Sequence, residues 1–315
     1  DPRVDPLPTL YQPQKATYAQ VTYTDIAGLD KDLGTTGLSG RLRNKIAPMD
    51  ALVHVVRAFE NARVPHPMGG VDPQRDLDSL DSEFLLADLI TVENRLERID
   101  EEMAKGASGR ERQALEAEKK HFQHLRETLE NGIPLRDLGL TADEKADLRG
   151  YSLLTLKPTI VLLNIGDEAV KPEELVTYDH QETTIIAIRG QLEMEISQLE
   201  PDEAAIFMEE FGIETLARER VLQASASLVG RLTFFTVSEE EVRAWLLPVG
   251  SNAVEAAYTI HTDLGRGFIR AEVVSYEKLI QAGGLTEARH AGETHIEGKD
   301  YIVQEGDILQ IRFST

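Results

Sequence analysis

Apolar and polar residues alternate over residues 18–25, "YAQVTYTD", in a β-rich composition, and this pattern predicts a strand. Three short apolar runs follow: "ALVHVVR" (51–57), "TIVLL" (159–163) and "TTIIAI" (183–188). Runs of this length between turns and helices predict buried parallel strands of an α/β sheet. The segment "RLRNKIAPMD" ahead of the first run predicts a helix stopped near Pro48.

Between the runs at 51 and 159 the periodicity changes. Leu85, Leu89, Val92, Leu96, Ile99 and Met103 are spaced alternately by four and three, the seam of a coiled coil. "KGASG" (105–109) interrupts it, and Leu115, Phe122, Leu125 and Leu129 form a second stripe. Helix, glycine turn and helix predict an antiparallel hairpin with arms of roughly 35 Å at about 1.5 Å per residue. "NGIP" ends the hairpin, and Thr141 with Glu144 three residues on predicts a capped short helix. Helical segments are expected at 190–198, in "PDEAAIFMEEFGI" and in "ETLARERVLQASASLVG". Beyond Arg231 the texture is that of a small α+β unit, with strands expected in "LTFFTV", "EVRAWLLPV", "GFIRAEVVSY", "KDYIVQ" and "DILQIRF" and a helix in "AVEAAYTIHT".

Composition narrows the chemistry. The 315 residues carry a formal charge of −22, which opposes non-specific adhesion to nucleic acid or anionic membrane, so any nucleic-acid contact needs a local patch. The absence of cysteine excludes disulfides, thiolate catalysis and cysteine–zinc sites, and fits a cytoplasmic protein. No apolar run reaches the ~18 residues of a membrane span, so no membrane partner is expected, and "DPRVDPLP" does not read as a secretory signal.

Two motifs sit where strands are expected to end. Asp25 and Gly28 form D-x-x-G: a carboxylate there can hold the water shell of a magnesium ion, and the glycine amide can meet a γ-phosphate oxygen. The bland reading is an ordinary turn with Gly28 at positive φ. Asn164 and Asp167 follow "TIVLL" as "NIGDE", an amide and a carboxylate placed to read a purine edge, with Ile165 where the guanine-reading N-K-x-D has lysine. Here the bland reading is a helix-capping turn. His121 and His124 have no third ligand in register and do not read as a metal site. His261, Thr262, Asp263, Arg266 and Arg270 read as a glycine-rich turn or a binding surface rather than a catalytic cluster. No G-x-x-x-x-G-K-[ST] phosphate loop occurs in the sequence.

Taken in order, these pieces resemble the YchF-type, or Obg-like, P-loop ATPases over nearly the whole chain. The resemblance rests on "DIAGL", "DALVHVVRAFE", "VDPQRDLDSLDSEFLLADLITVENRL", "LRGYSLLTLKP", "LLNIGDE", "LTFFTVSEEEVRAWLLPVGSNAVEAAYTIHTDLGRGFIRAEVVSYEKL" and "GKDYIVQEGDILQIRF". It implies an α/β P-loop NTPase G domain, here incomplete, over 1–79 and 151–230, an antiparallel coiled-coil insertion over 80–150, and a C-terminal α+β TGS domain of β-grasp shape over 231–315. It implies ATP (or GTP) with Mg2+ as cofactors. Asp25 and Gly28 would be the catalytic residues, with Asp25 on the metal; Asn164, Ile165 and Asp167 would hold the base, flanked by Phe59. Leu29 stands where Ras-like enzymes carry a catalytic glutamine. The implied function is ATP hydrolysis in a monomeric, ribosome-associated protein that touches the ribosome or its RNA through the TGS domain and the arm. The alternative is a weak or inactive paralogue serving as an adaptor.

The sequence departs from the family pattern in three places. The Walker A strand and loop belong ahead of "DPRVD". The second-switch segment reads "DKDLGTTGLSGRLRNKI", and Arg189 and Gly190 occupy positions where small residues are usual.

Overall fold

A computed structural model describes residues 1–26, 38 and 40–314. Along the chain the elements run β1 (Lys15–Thr17), α2 (Gly40–Ile46) after α1 (Leu7–Tyr11), then β2 (Leu52–Ala58), α3 (Pro73–Ala104), α4 (Gly109–Glu130) and α5 (Ala142–Leu148). They continue with β3 (Thr159–Ile165), α6 (Pro172–Leu175), β4 (Thr183–Ile188), α7 (Gly190–Ile196), α8 (Pro201–Glu210) and α9 (Ala217–Leu228). The last part holds β5 (Arg231–Val237), β6 (Glu241–Pro248), α10 (Ala253–Ile260), α11 (Thr262–Arg266), β7 (Phe268–Ser275), α12 (Tyr276–Ala282), α13 (Leu285–His290), β8 (His295–Glu297) and β9 (Asp307–Phe313). These elements form two compact units, one of Thr24–Ala224 and one of Asp1–Tyr23 with Ser225–Thr315.

The first unit is built on a parallel sheet of order β2-β3-β4. The central strand β3 is buried on both faces at every position but Asn164, which explains its unbroken apolar run. On one face Val56, Val161, Leu163 and Ile165 pack with Leu77 of α3 and Val176. His54 of β2 lies in this interior, and burial pushes its imidazole down to about 4, so the ring is neutral at pH 7.

The α3–α4 hairpin forms as its two stripes predict. Asp72 caps α3 by accepting from the Arg75 N–H at 3.1 Å, with Pro73 in the first turn. Gly106 at φ 99° and Gly109 at φ 57° supply the left-handed turn that other residues adopt at a cost. Val92, Leu96, Ile99, Leu115, Phe122, Leu125 and Leu129 are buried along the seam. Arg95 bridges the arms, donating to Glu118 at 2.7–2.8 Å and to Glu102 at 2.9 Å. The base of the hairpin is fixed by Asp88 of α3. It is fully buried and accepts from the Leu154 N–H (2.8 Å), the Thr155 N–H (2.7 Å) and the Thr155 hydroxyl (2.7 Å), just ahead of β3. Thr141 and Glu144 make the expected reciprocal cap on α5.

The second unit is a six-stranded sheet of order β1-β6-β5-β9-β7-β8. One face packs on α10 through Phe234, Leu247, Val273 and Leu309. The other packs Phe235, Val242, Val274 and Ile308 against Val4, Leu7, Leu279 and Leu285. Glu272 is 2% exposed, and its carboxyl is held below the usual range by hydrogen bonds from Arg289 and Arg312.

Three expectations differ. Residues 18–26 hold no regular structure; β1 forms instead at Lys15–Thr17, in parallel register with Glu241–Arg243 of β6. An alternating pattern makes a strand only where a neighbour completes its backbone ladder, and here that neighbour serves residues 15–17. Residues 1–23 belong to the second unit rather than with the three-stranded sheet: Val4 and Leu7 are completely buried there, Arg3 lies 5.2 Å over the Phe235 ring, and the Tyr11 hydroxyl accepts from Leu285 N–H at 2.9 Å. "KDYIVQ" makes only an isolated bridge, Ile302 to Asn252, while β8 forms at 295–297 where no strand was expected.

Candidate functional site

In a parallel α/β sheet the loops at the carboxyl ends of the strands share one edge, and ligands bind there. The three ends here deliver Phe59 after β2, Asn164 to Asp167 at the end of β3, and Arg189–Gly190 after β4. Strand register sets Arg57, Asn164 and Ile188 side by side.

Two close approaches join these loops. The Gly190 N–H donates to Asn164 Oδ1 at 3.2 Å, so the first orphan amide of α7 is satisfied by the side chain that ends β3. A Cβ at residue 190 would stand 2.6 Å from that oxygen, so a side chain there would push the Asn164 amide out of this position. A Cβ at Gly166 would lie 3.7 Å from the Phe59 Cβ, which places the β2 and β3 loops in contact. Arg57 shapes the β2 loop by donating to the carbonyls of Phe59 (3.0 Å) and Val64 (2.8 Å), and its guanidinium lies 4.9 Å from the Phe59 ring centre. With Oδ1 engaged by Gly190, the Nδ2 donors of Asn164 are its groups for an acceptor on a ligand.

The expected residues fall into three groups. Asn164 and the half-buried Phe59 are brought to one edge, with Asp167 exposed three residues past Asn164. Ile165 instead faces the core: it is 7% exposed and packs with Val56, Leu77 and Leu163, because successive strand residues point to opposite faces. It seals the core beneath the loop and offers no ligand surface. Asp25 is exposed in an irregular stretch, while Gly28, Leu29 and most of 34–40 lie outside the described residues. No cluster of three or more His, Asp or Glu side chains suited to a metal occurs among the described residues. Magnesium in nucleotide sites needs one or two carboxylates, with water and phosphate oxygens completing its shell, so a lone Asp25 is compatible with that role.

Sequence reasoning did not single out Arg57, which holds the loop after β2, or Glu193 and Arg220, which bond to each other and to the Arg189 N–H and the Ala187 carbonyl at the end of β4. Their signal is faint, since a cation in a strand and a glutamate in a helix are ordinary. A separate cavity of about 280 Å3 in the same unit is lined by Asp81, Arg136, Thr155, Tyr178 and His180, and contains none of the expected site residues.

Known proteins resemble this chain along its whole length. The family model YchF-GTPase_C, described as "Protein of unknown function (DUF933)", matches residues 232–314. The "Ribosome-binding ATPase YchF" of Bacillus subtilis is 36% identical over 326 residues, covering all of this chain and 87% of that protein. The protein of the same name from Pasteurella multocida is 35% identical over 321 residues with the same coverage. The solved structure of the Schizosaccharomyces pombe YchF GTPase superposes with a TM-score of 0.85 at 29% identity, covering 99% of this chain and 85% of that one. With identities above one third along its whole length, the chain belongs to the YchF family.

Proposed function

We propose that this protein binds and hydrolyses ATP, with GTP as the alternative nucleotide, and acts in association with the ribosome. The observation that carries the nucleotide reading is the Asn164–Gly190 pairing beside Phe59, at the carboxyl ends of three parallel strands. An amide locked by its oxygen presents donors to a purine ring nitrogen, Phe59 offers an aromatic wall, and Asp167 accepts from an exocyclic or ring N–H. Bound nucleotide and Mg2+ supply the electrophilic phosphorus and its charge neutralisation. Asp25 would hold the ion through its waters, and Gly28 would meet the γ-phosphate. On this reading hydrolysis requires a Walker A phosphate loop, a motif that residues 1–315 do not contain. With Leu29 in the glutamine position, orientation of the attacking water falls to another group.

The ribosome reading rests on the names of the relatives. We read the C-terminal unit as a TGS domain and the α3–α4 hairpin as the coiled-coil insertion, the two surfaces offered to ribosome or ribosomal RNA. In a chain of charge −22 the contact must be local, and Arg266 and Arg270 stand exposed beside Ile269 on the C-terminal unit.

Asp167→Ala is expected to shift the ratio of ATP to GTP affinity by about tenfold, the loss of one hydrogen bond to a base edge. Calorimetric titration of both nucleotides reads it directly, and an unaltered ratio would remove Asp167 from base recognition.

A further inference from the structure

We infer that Glu193 is a positioning residue for the base end of the site, acting through Gly190 on Asn164. The inference rests on the reading that Asn164 faces the base.

Glu193 lies in the first turn of α7 and is 6% exposed. Its Oε1 accepts from the backbone N–H of Arg189 at 3.1 Å and from Arg220 Nη2 at 3.1 Å. Its Oε2 accepts from the N–H of Ala217, the first residue of α9. Arg220 in turn donates through Nη1 to the carbonyl of Ala187 in β4, at 3.0 Å. The Arg189 side chain turns away from the loop and donates to the Phe211 carbonyl at 2.8 Å. One buried carboxylate therefore ties the end of β4, the cap of α7 and the start of α9 into one rigid corner.

The corner bears on the site because Arg189 immediately precedes Gly190. The Gly190 N–H reaches Asn164 Oδ1 only if the 189–190 peptide holds its orientation; the Glu193 backbone N–H donates to the carbonyl of that peptide, Arg189 O, at 2.8 Å, and the Glu193 carboxylate holds the N–H of the adjoining 188–189 peptide. Glutamine has nearly the same shape but one acceptor oxygen. Its NH2 group would face one of the three donors, and the ion pair with Arg220 would be lost. The 189–190 peptide would then be held less firmly, and with it the Gly190 N–H that sets which way the Asn164 donors face.

The test compares wild type, E193Q and R220Q in two ways. Amide hydrogen exchange by NMR is expected to show Gly190 exchanging at least tenfold faster in E193Q, and by a smaller factor in R220Q, with Leu163 and Ile186 in the sheet unchanged. Titration is expected to show ATP affinity falling about tenfold in E193Q while base-free tripolyphosphate binds as in wild type. Unchanged Gly190 exchange, or equal acceleration of Gly190 and the sheet amides, overturns the positioning role. If wild type itself shows no preference for ATP over tripolyphosphate, the base-binding reading fails, and the positioning role for the base falls with it even where Gly190 exchange responds. If wild type shows the preference and E193Q retains it in full, the positioning role alone fails.

Discussion

Asp88→Ala is expected to destabilise the Thr24–Ala224 unit by about 3–5 kcal/mol. The carboxylate is fully buried, and three donors from Leu154 and Thr155 converge on it. Removing it strands two backbone N–H groups and a hydroxyl, each at about 1–3 kcal/mol when nothing replaces the acceptor. Relief of burying a carboxylate offsets part of this, since desolvation raises the Asp88 pKa against the pull of those donors. Asp88→Asn keeps one acceptor oxygen but turns an NH2 group towards a donor, so an intermediate loss is expected. Urea denaturation followed by far-UV circular dichroism reads the helical signal dominated by α3 and α4. The single tryptophan, Trp245, lies in the other unit, so its fluorescence transition should shift much less. A loss below about 1 kcal/mol would show that Asp88 does not fasten the hairpin to the sheet.

The second large effect is on chemistry. In protein that carries the Walker A segment, Asp25→Ala is expected to lower ATP turnover at least about 100-fold, the scale on which loss of a group stabilising transferred-phosphoryl charge is felt. Metal-free nucleotide affinity should change little, because the carboxylate acts through the ion. Steady-state phosphate release with and without Mg2+ separates these terms. Unchanged turnover would refute the metal role of Asp25.

Much of this was legible in the residues, for identifiable physical reasons. The runs at 51, 159 and 183 announce themselves because strands buried on both faces must be apolar throughout, and all three pair in parallel. The hairpin was legible because a seam needs strict spacing, and its turn because glycine alone enters left-handed geometry cheaply. The stretch at 18–25 misled because alternation reports a half-buried surface and says nothing of the neighbour that completes the ladder. Lys15–Thr17, too short and too polar to stand out, found its partner 226 positions along in β6, where Lys15 aligns with Glu241. Asn164 stood out as a polar residue near the end of an apolar strand, and the structure pairs it with Gly190. Ile165 was misplaced because strand alternation turns it to the core. Glu193 and Arg220 were invisible, since their meaning depends on a pairing across 27 residues.

On the proposed function a purine nucleotide sits at the carboxyl ends of β2, β3 and β4. The most direct test is a TROSY titration of the isotopically labelled protein with Mg·ATP, a measurement that registers even millimolar binding. Shifts are expected to centre on Phe59, the Asn164 side-chain amide, Gly166, Asp167 and Gly190. Absence of shifts there, or shifts confined to the cavity of Asp81, Arg136 and Tyr178, would contradict it.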